Sequence, residues 1–446
     1  MKTLLSKLKT VNRYKALTVL LFLIVVTVQL ILAINTPLGV SPDEPHHYNS
    51  IKYYSGESLD PFITEQNSYY DLGDMTRVGS YLYPYTLSLI LRVGSFISDE
   101  YLLLRLTNVF ISIINFSIFY ATAQLFLRRD RSVLIAMSIA YSFLMYIFIG
   151  AFINYDNLAI TFSLIMSYGY LRYLKKKDLH SILIIISASL FGAVTKYTLL
   201  PLSALIVLML LLDRKFWSFL RSPRQLIRRL LSEKIFLGLI LAGSILFLER
   251  YVLNLVVYHS IQPDCDLIHL KEKCMENAVF ARNSKIYGLG IQGEKISFIK
   301  YVYLWLNQMY DGAMGIFGHH ILPDWSHSSK FIGITLISSF VGFLKLLKER
   351  SWSKLHLGLI IIPLGYMAIM IFTVHYPNYL STGSISLAVQ GRYLFPVWSI
   401  GVIGVTYYLT RFERKWIELF FLVIFGLLLT FNLIHLHNNI ELLWWI

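Results

Sequence analysis

Apolar runs of about 20 residues, separated by short polar stretches, recur from one end of the chain to the other. A run of that length crosses a ~30 Å hydrocarbon layer as a helix. No alternating strand pattern competes, and lipid offers the backbone no other partner. The pattern predicts eleven crossings: Ala16–Ile34, Leu102–Leu127, Ser132–Phe152, Asn157–Leu171, Leu179–Thr195, Thr198–Leu212, Ile235–Tyr258, Phe331–Leu344, Leu355–His375, Leu394–Leu409 and Trp416–His435. Two long connections remain, 35–101 and 259–330. The expectation is one all-α polytopic membrane domain, 1–446, with two large loops on one face.

Composition points the same way. The chain is 56% hydrophobic and 15% charged, against roughly 25% charged in soluble proteins, and its mean hydropathy is +0.58. The net charge of +14 is not a nucleic-acid signal, because its distribution is topological. Basic residues gather at alternate connections: Lys2, Lys7, Lys9, Arg13 and Lys15; Arg128, Arg129 and Arg131; Arg172 and Lys175–Lys177; Arg214–Lys234; Lys345, Lys348, Arg350 and Lys354; Arg411, Arg414 and Lys415. By the positive-inside rule that side is cytoplasmic, the N-terminus included, and both long loops face outward. Parity makes Tyr81–Ile97 an interfacial helix and makes Leu179–Leu212 cross twice, turning near Lys196, Tyr197 and Pro201. The first run is long for a signal sequence and no small-x-small cleavage site follows it, so a retained helix is expected.

Against this background the stretch Ser41-Pro42-Asp43-Glu44-Pro45-His46-His47-Tyr48 stands out. It follows the first helix, where the chain leaves the lipid, and opens a loop rich in acids (Glu57, Asp60, Glu65, Asp71, Asp74) and tyrosines. A solvated Pro-Asp turn would explain the acids. The nearby bilayer surface favours chemistry instead, because desolvation tunes a carboxylate's proton affinity and a carboxylate there can deprotonate an acceptor hydroxyl. His46 and His47 are candidates for proton transfer, metal binding or phosphate orientation. Arg92, Arg105, Lys196, Arg250 and Arg392 fall on the outward half, where cations are disfavoured; snorkelling suffices for Arg92, whereas intramembrane charges are usually paired or functional. Glu249 adjoins Arg250 but points about 100° away on a helix, so a partner on another helix is expected. Asp156, in Asn154-Tyr155-Asp156-Asn157, is either an N-cap or a second carboxylate on the same face. In Gln390-Gly391-Arg392-Tyr393-Leu394-Phe395-Pro396, Gly391 permits close backbone approach, and Arg392 and Tyr393 meet the headgroup level. Cations around a carboxylate suit a lipid phosphate leaving group. Cys265 and Cys274 leave open whether they pair; a zinc site lacks its second half.

These residues carry a resemblance. One helix, an outer loop opening on Asp-Glu, interfacial helices and many further spans look like the C-type glycosyltransferase superfamily. More narrowly, Pro42-Asp43-Glu44-Pro45-His46-His47 and Gln390-Gly391-Arg392-Tyr393-x-x-Pro396 resemble a family of polytopic bacterial membrane proteins associated with surface-polysaccharide glycosylation. The resemblance covers most of the chain in layout and about fifteen residues in motif. It implies a helical fold with an outward-facing site, a polyprenyl-phosphate-linked sugar as donor, Asp43 as catalytic base with Glu44 beside it, and a home in the bacterial cell membrane. Arg392 and Lys196 match the family's phosphate-binding cations only loosely. The chain ends at Trp444-Trp445-Ile446 without the soluble C-terminal domain of oligosaccharyltransferases, which favours transfer of a single sugar.

The expected function is therefore inverting transfer of a sugar to an extracytoplasmic surface glycan. Asp43 acts as base, and Lys196, Arg250 and Arg392 stabilise the departing phosphate. No cofactor and no nucleic-acid partner is indicated. The rival is a transporter or flippase of lipid-linked sugars, which needs ionisable residues at the membrane midplane and an alternating cavity, whereas the charges here cluster toward one face. A sensor role is the third reading.

Overall fold

The computed structural model describes residues 12–56 (except 38 and 42), 81–94, 97–221, 230–290 (except 277), 295–348 (except 315, 318–319 and 322–325) and 354–443 (except 386, 388 and 413). Pro42, the acidic residues Glu57, Asp60, Glu65, Asp71 and Asp74, the basic residues Lys2, Lys7, Lys9, Arg224, Arg228, Arg229 and Arg350, and Trp444-Trp445-Ile446 lie outside the described residues.

The described chain is helical apart from a two-residue antiparallel pairing, Ile316–Phe317 with His320–Ile321. In order, α1 is Arg13–Asn35, α2 Glu44–Gly56, α3 Leu82–Val93, α4 Glu100–Leu127, α5 Asp130–Tyr141, α6 Leu144–Ile149, α7 Tyr155–Lys176, α8 Leu179–Thr195 and α9 Leu199–Leu211. Then come α10 Lys234–Tyr258, α11 Phe298–Met314, α12 Ser326–Lys348, α13 His356–Thr382, α14 Phe395–Leu409 and α15 Lys415–Leu443. Among the described residues six helices are long and apolar enough to cross a membrane: Arg13–Asn35, Glu100–Leu127, Lys234–Tyr258, His356–Thr382, Gly391–Phe412 and Lys415–Asn438. Each coincides with a crossing expected from sequence.

The other five crossings look different. Leu179–Thr195 and Leu199–Leu211 are short apolar helices that turn at Lys196 and Tyr197, as expected. Ser132–Phe152 is not one helix: it breaks at Ser142-Phe143 into α5 and α6. The carbonyl freed at Ser142 accepts the Asn432 side-chain amide of α15 at 2.7 Å, and that partner makes a break tolerable inside a packed bundle. Asn157–Leu171 lies within α7, whose first turn is polar, and Phe331–Leu344 lies within α12. The segment Tyr81–Ile97 supplies the 12-residue α3, which at 1.5 Å per residue is too short to cross. Its buried face, Tyr83, Leu87 and Leu91, packs beside α2, and Arg92 donates to the Tyr54 carbonyl at 2.6 Å.

Polar side chains fasten these helices where apolar packing alone selects no register. Gln29 of α1 donates to Ser112 of α4 (2.8 Å) and to the Ile147 carbonyl of α6 (3.0 Å). Asn157 of α7 donates to the Asn108 carbonyl at 2.7 Å and accepts from Asn115 at 2.9 Å. Asn108 in turn pairs with the Tyr83 hydroxyl of α3. The ladder joins α3, α4 and α7 behind the loop that carries Asp43. We therefore expect Asn157→Leu to lower stability by about 1–2 kcal/mol, the upper range for interhelical polar contacts in membranes. Thermal unfolding in detergent measures it, and an unchanged midpoint would remove this ladder as a fastening.

Candidate functional site

The carboxylates at 43 and 44 divide at the start of α2. Asp43 has a left-handed backbone (φ 63°), a conformation that Asp and Asn adopt more readily than other side chains. Its carbonyl receives the His47 amide at 2.9 Å and so begins the helix. That geometry turns the two side chains apart. Glu44 is fully buried and held by Arg105 of α4 in a two-pronged pair, Nε to Oε1 and Nη2 to Oε2, both at 2.8 Å. The Ile153 amide donates to Glu44 Oε1 at 3.2 Å. Arg105 also donates to the carbonyls of Ala33 (3.1 Å), Thr36 (2.6 Å) and Pro37 (3.3 Å). A planar guanidinium with five donors thus ties the end of α1, the following loop and the first turn of α2 together.

Asp43 faces the other way, with its side chain 49% exposed, and accepts from Arg392 Nη2 at 2.6 Å. Arg392 Nε stands 3.4 Å from Asp156 Oδ2, and Asp156 Oδ1 pairs with Lys196. The result is an alternating chain, Asp43–Arg392–Asp156–Lys196, running from the exposed rim inward and neutral in sum. Its three inner members are buried. Rings close it, since Lys196 Nζ lies 4.8 Å from the Tyr155 ring centre and 4.7 Å from that of Tyr393.

Each inner member is delivered by a helix end. Asn154 caps α7 by accepting the Asp156 amide at 2.8 Å, so Asp156 falls in the first turn, where the helix dipole favours a carboxylate. Lys196 is the C-cap of α8. Arg392 sits in the 3-10 turn Gly391–Leu394 leading into α14. There α11 crosses backbone to backbone: a Cβ on Gly312 would meet the Gly391 nitrogen at 2.6 Å, and a Cβ on Gly391 would meet the Gly312 carbonyl carbon at 2.5 Å. The Tyr366 hydroxyl of α13 lies 3.0 Å from the Tyr393 carbonyl and 3.1 Å from that of Thr198, which braces the same turn. The His375 ring stacks on Tyr393 and accepts from Trp305 of α11 at 2.9 Å.

Of the residues expected at the site, Asp43, Asp156, Lys196, Arg392 and Tyr393 come together. His47 lies against them, 99% buried, with its ring edge-on to Tyr155 at 4.6 Å. Among the described residues neither of its ring nitrogens has a hydrogen-bond partner. His46 is half-buried beside it. Arg250 is fully buried, with its guanidinium 4.2 Å from the Tyr81 ring centre and its Nε 3.5 Å from Glu249 Oε2. The adjacent carboxylate reaches it because Leu248–Val252 is a π-turn, which changes the angle between successive side chains. Sequence reasoning gave no role to Tyr155, Tyr366, Trp305 or the bracing pair of Arg105 with Glu44. For Tyr155 the signal was its place next to Asp156. Among the described residues no three His, Cys, Asp or Glu side chains converge as a metal-binding group.

The electrostatics are settled by position. Burial pushes Asp43 upward, but Arg392, His47 and His46 together outweigh it and bring the carboxyl down to about 2. Burial also lowers His47, to about 3, against the pull of Asp43, so the imidazole is neutral at ordinary pH. No family model, curated protein or solved structure matches this chain.

Two outcomes follow. Between about pH 6.5 and 3 the unfolded chain binds a proton at His47 that the folded chain refuses, so stability is full above that window and falls as pH drops through it. In His47→Phe this acid-side loss should be visibly shallower when melting points are taken from pH 7 to 4; superimposable curves would mean that His47 does not sense acid. Asp156→Ala leaves two buried cations facing each other and should cost about 3–5 kcal/mol, which a melting curve also reads.

Proposed function

We propose that this chain is an inverting membrane glycosyltransferase, transferring a sugar from a polyprenyl-phosphate-linked donor to a hydroxyl of an extracytoplasmic surface glycan. One observation carries the reading: the turn that holds Arg392 against Asp43 also forms the wall of a hydrocarbon-lined cavity. That cavity, of about 490 Å³, lies between α11, α12, α13 and α14. Gly391 and Leu394, on the same turn as Arg392, line it together with Leu306, Met309, Pro363 and Trp398. A headgroup cation and an apolar slot on one turn suit a lipid phosphate, and pockets of a few hundred Å³ are typical for ligands.

On this reading the donor phosphate binds Arg392, with Lys196 behind it. The acceptor oxygen attacks the anomeric carbon from the opposite face while Asp43 takes its proton. The new glycosidic C–O bond forms as the bond from the anomeric carbon to the phosphate oxygen breaks, and the electron pair leaves with polyprenyl phosphate. Arg392 and Lys196 meet that charge in a site where fixed cations count for more than in water. We assign Glu44 to holding the motif through Arg105 rather than to proton transfer.

We further infer the eleven-crossing, C-type arrangement with the Asp43 end outward and the N-terminus cytoplasmic, in the bacterial cell membrane. Two features support that orientation. Cys265 and Cys274 are joined as a disulfide just beyond the C-terminal end of α10, the helix whose Arg250 lies over Tyr81, and such bonds persist in oxidising compartments. The far ends of α4 and α7 carry Arg128, Arg129, Lys175 and Lys176.

Asp43→Asn keeps the left-handed backbone accessible and removes only the charge. It should lower turnover by about 10²–10⁴-fold, the usual contribution of a positioned base, with membrane insertion retained. The assay is release of free polyprenyl phosphate from a panel of polyprenyl-phosphate sugars with glycan acceptors. Transfer at the wild-type rate would take Asp43 out of the mechanism.

A further inference from the structure

The end of the bundle opposite Asp43 holds a second hollow that the proposed chemistry does not use. It lies at the far end of α4, about 40 Å along that helix from Glu100 at 1.5 Å per residue. The hollow encloses about 410 Å³ and is lined by Phe126, Leu127, Arg128, Arg129, Ser132, Lys175, Tyr407, Thr410 and Arg411. Four cations therefore arrive from four segments: the C-terminus of α4, the turn into α5, the last turn of α7 and the 3-10 turn Thr410–Phe412 after α14. Among the described residues no carboxylate lines it.

Several of these cations also make contacts at the helix ends. Lys175 donates to the Leu125 carbonyl and lies 5.8 Å from the Phe126 ring centre. Arg129 stands 3.8 Å from the buried Glu418, whose closer partner is Arg131. Arg411 donates to the Tyr407 hydroxyl and lies 4.7 Å over that ring, while its Nε is buried with no acceptor among the described residues. Lys345, bonded to the Arg411 carbonyl at 3.2 Å, adds a fifth positive charge nearby. A membrane protein's cytoplasmic charge bias accounts for how many basic residues sit on this side. It does not require them to surround a common space, where they repel one another.

We propose that this hollow is a binding site for a phosphate-bearing anion, held by Arg128, Arg129, Lys175 and Arg411, with the Ser132 and Thr410 hydroxyls as further partners. Guanidinium groups match phosphate oxygens two at a time, and Phe126, Leu127 and Tyr407 give the remainder of the ligand an apolar wall. An anionic phospholipid headgroup and a free phosphate compound share this chemistry, since basic pockets between helix ends take lipid headgroups.

The test uses the full chain purified in detergent and exposed in parallel to phosphatidylglycerol, phosphatidylcholine and inorganic phosphate, read by native mass spectrometry and by melting point. Wild type should retain phosphatidylglycerol over phosphatidylcholine. The double variant Arg128→Gln/Arg411→Gln should lose roughly 30-fold in apparent affinity, about five-fold for each cation removed. Lys176→Gln, exposed and outside the lining, should behave as wild type. Protection by inorganic phosphate alone, lost in the double variant, would identify a soluble ligand and equally support the site. Should the double variant not fold, Lys175→Gln and the wild-type lipid preference carry the comparison. Equal retention of both lipids together with indifference to phosphate overturns the proposal.

Discussion

Four charges placed where water is scarce have to neutralise one another, and the site is shaped by that requirement. Asp43, Arg392, Asp156 and Lys196 come from the loop after α1, the turn before α14, the start of α7 and the end of α8. None can be buried alone without a large desolvation cost. Joined in alternating order they sum to zero, so the fold tolerates three of them below the surface. The same chain of contacts fixes where four distant segments stand relative to one another. Disturbing any inner link leaves a charge stranded, which makes the arrangement a constraint on the fold as much as a feature of chemistry.

Holding such a chain needs a second, separate set of contacts. Arg105 provides it by spending its donors on Glu44 and on three carbonyls at the end of α1. Glu44 and Asp43 are adjacent in sequence and opposite in duty because the left-handed backbone at Asp43 sends their side chains to different sides. On the other flank, contact of the Gly312 and Gly391 backbones and the brace of Tyr366 hold the Arg392 turn. Rigid supports on both sides leave one exposed carboxylate between them, which suits the role proposed for Asp43.

Much of this was legible in the chain. The long apolar helices follow from length and composition alone, and the turn at Lys196 from the need for parity between basic ends. Asp43, Asp156, Lys196 and Arg392 stood out as charges where charge is expensive. What stayed hidden depended on distant partners. Nothing near Ser142 announces a helix break, because the side chain that takes its carbonyl is Asn432, far along the sequence. The destination of Arg250 depended on a π-turn, invisible to a reading that assumes regular helical spacing. The unequal fates of Asp43 and Glu44 rested on one backbone angle, and a sequence motif does not contain it.

The resting site carries an internal restraint. Paired with Arg392, Asp43 titrates near pH 2 and is a weak base, poorly matched to removing a proton from a hydroxyl. On the proposed reading the donor's phosphate competes for the same guanidinium. As Arg392 turns to the phosphate, the strongest attraction holding the carboxyl down is shared, and Asp43 moves back toward the ordinary carboxylate range. The base is then strengthened only when a donor is present. An arrangement with Asp43 free and Arg392 paired to Asp156 alone would bind phosphate as readily, yet would expose an activated carboxylate to solvent at all times. On the proposed reading, the shared cation couples the arrival of one substrate to readiness for the other.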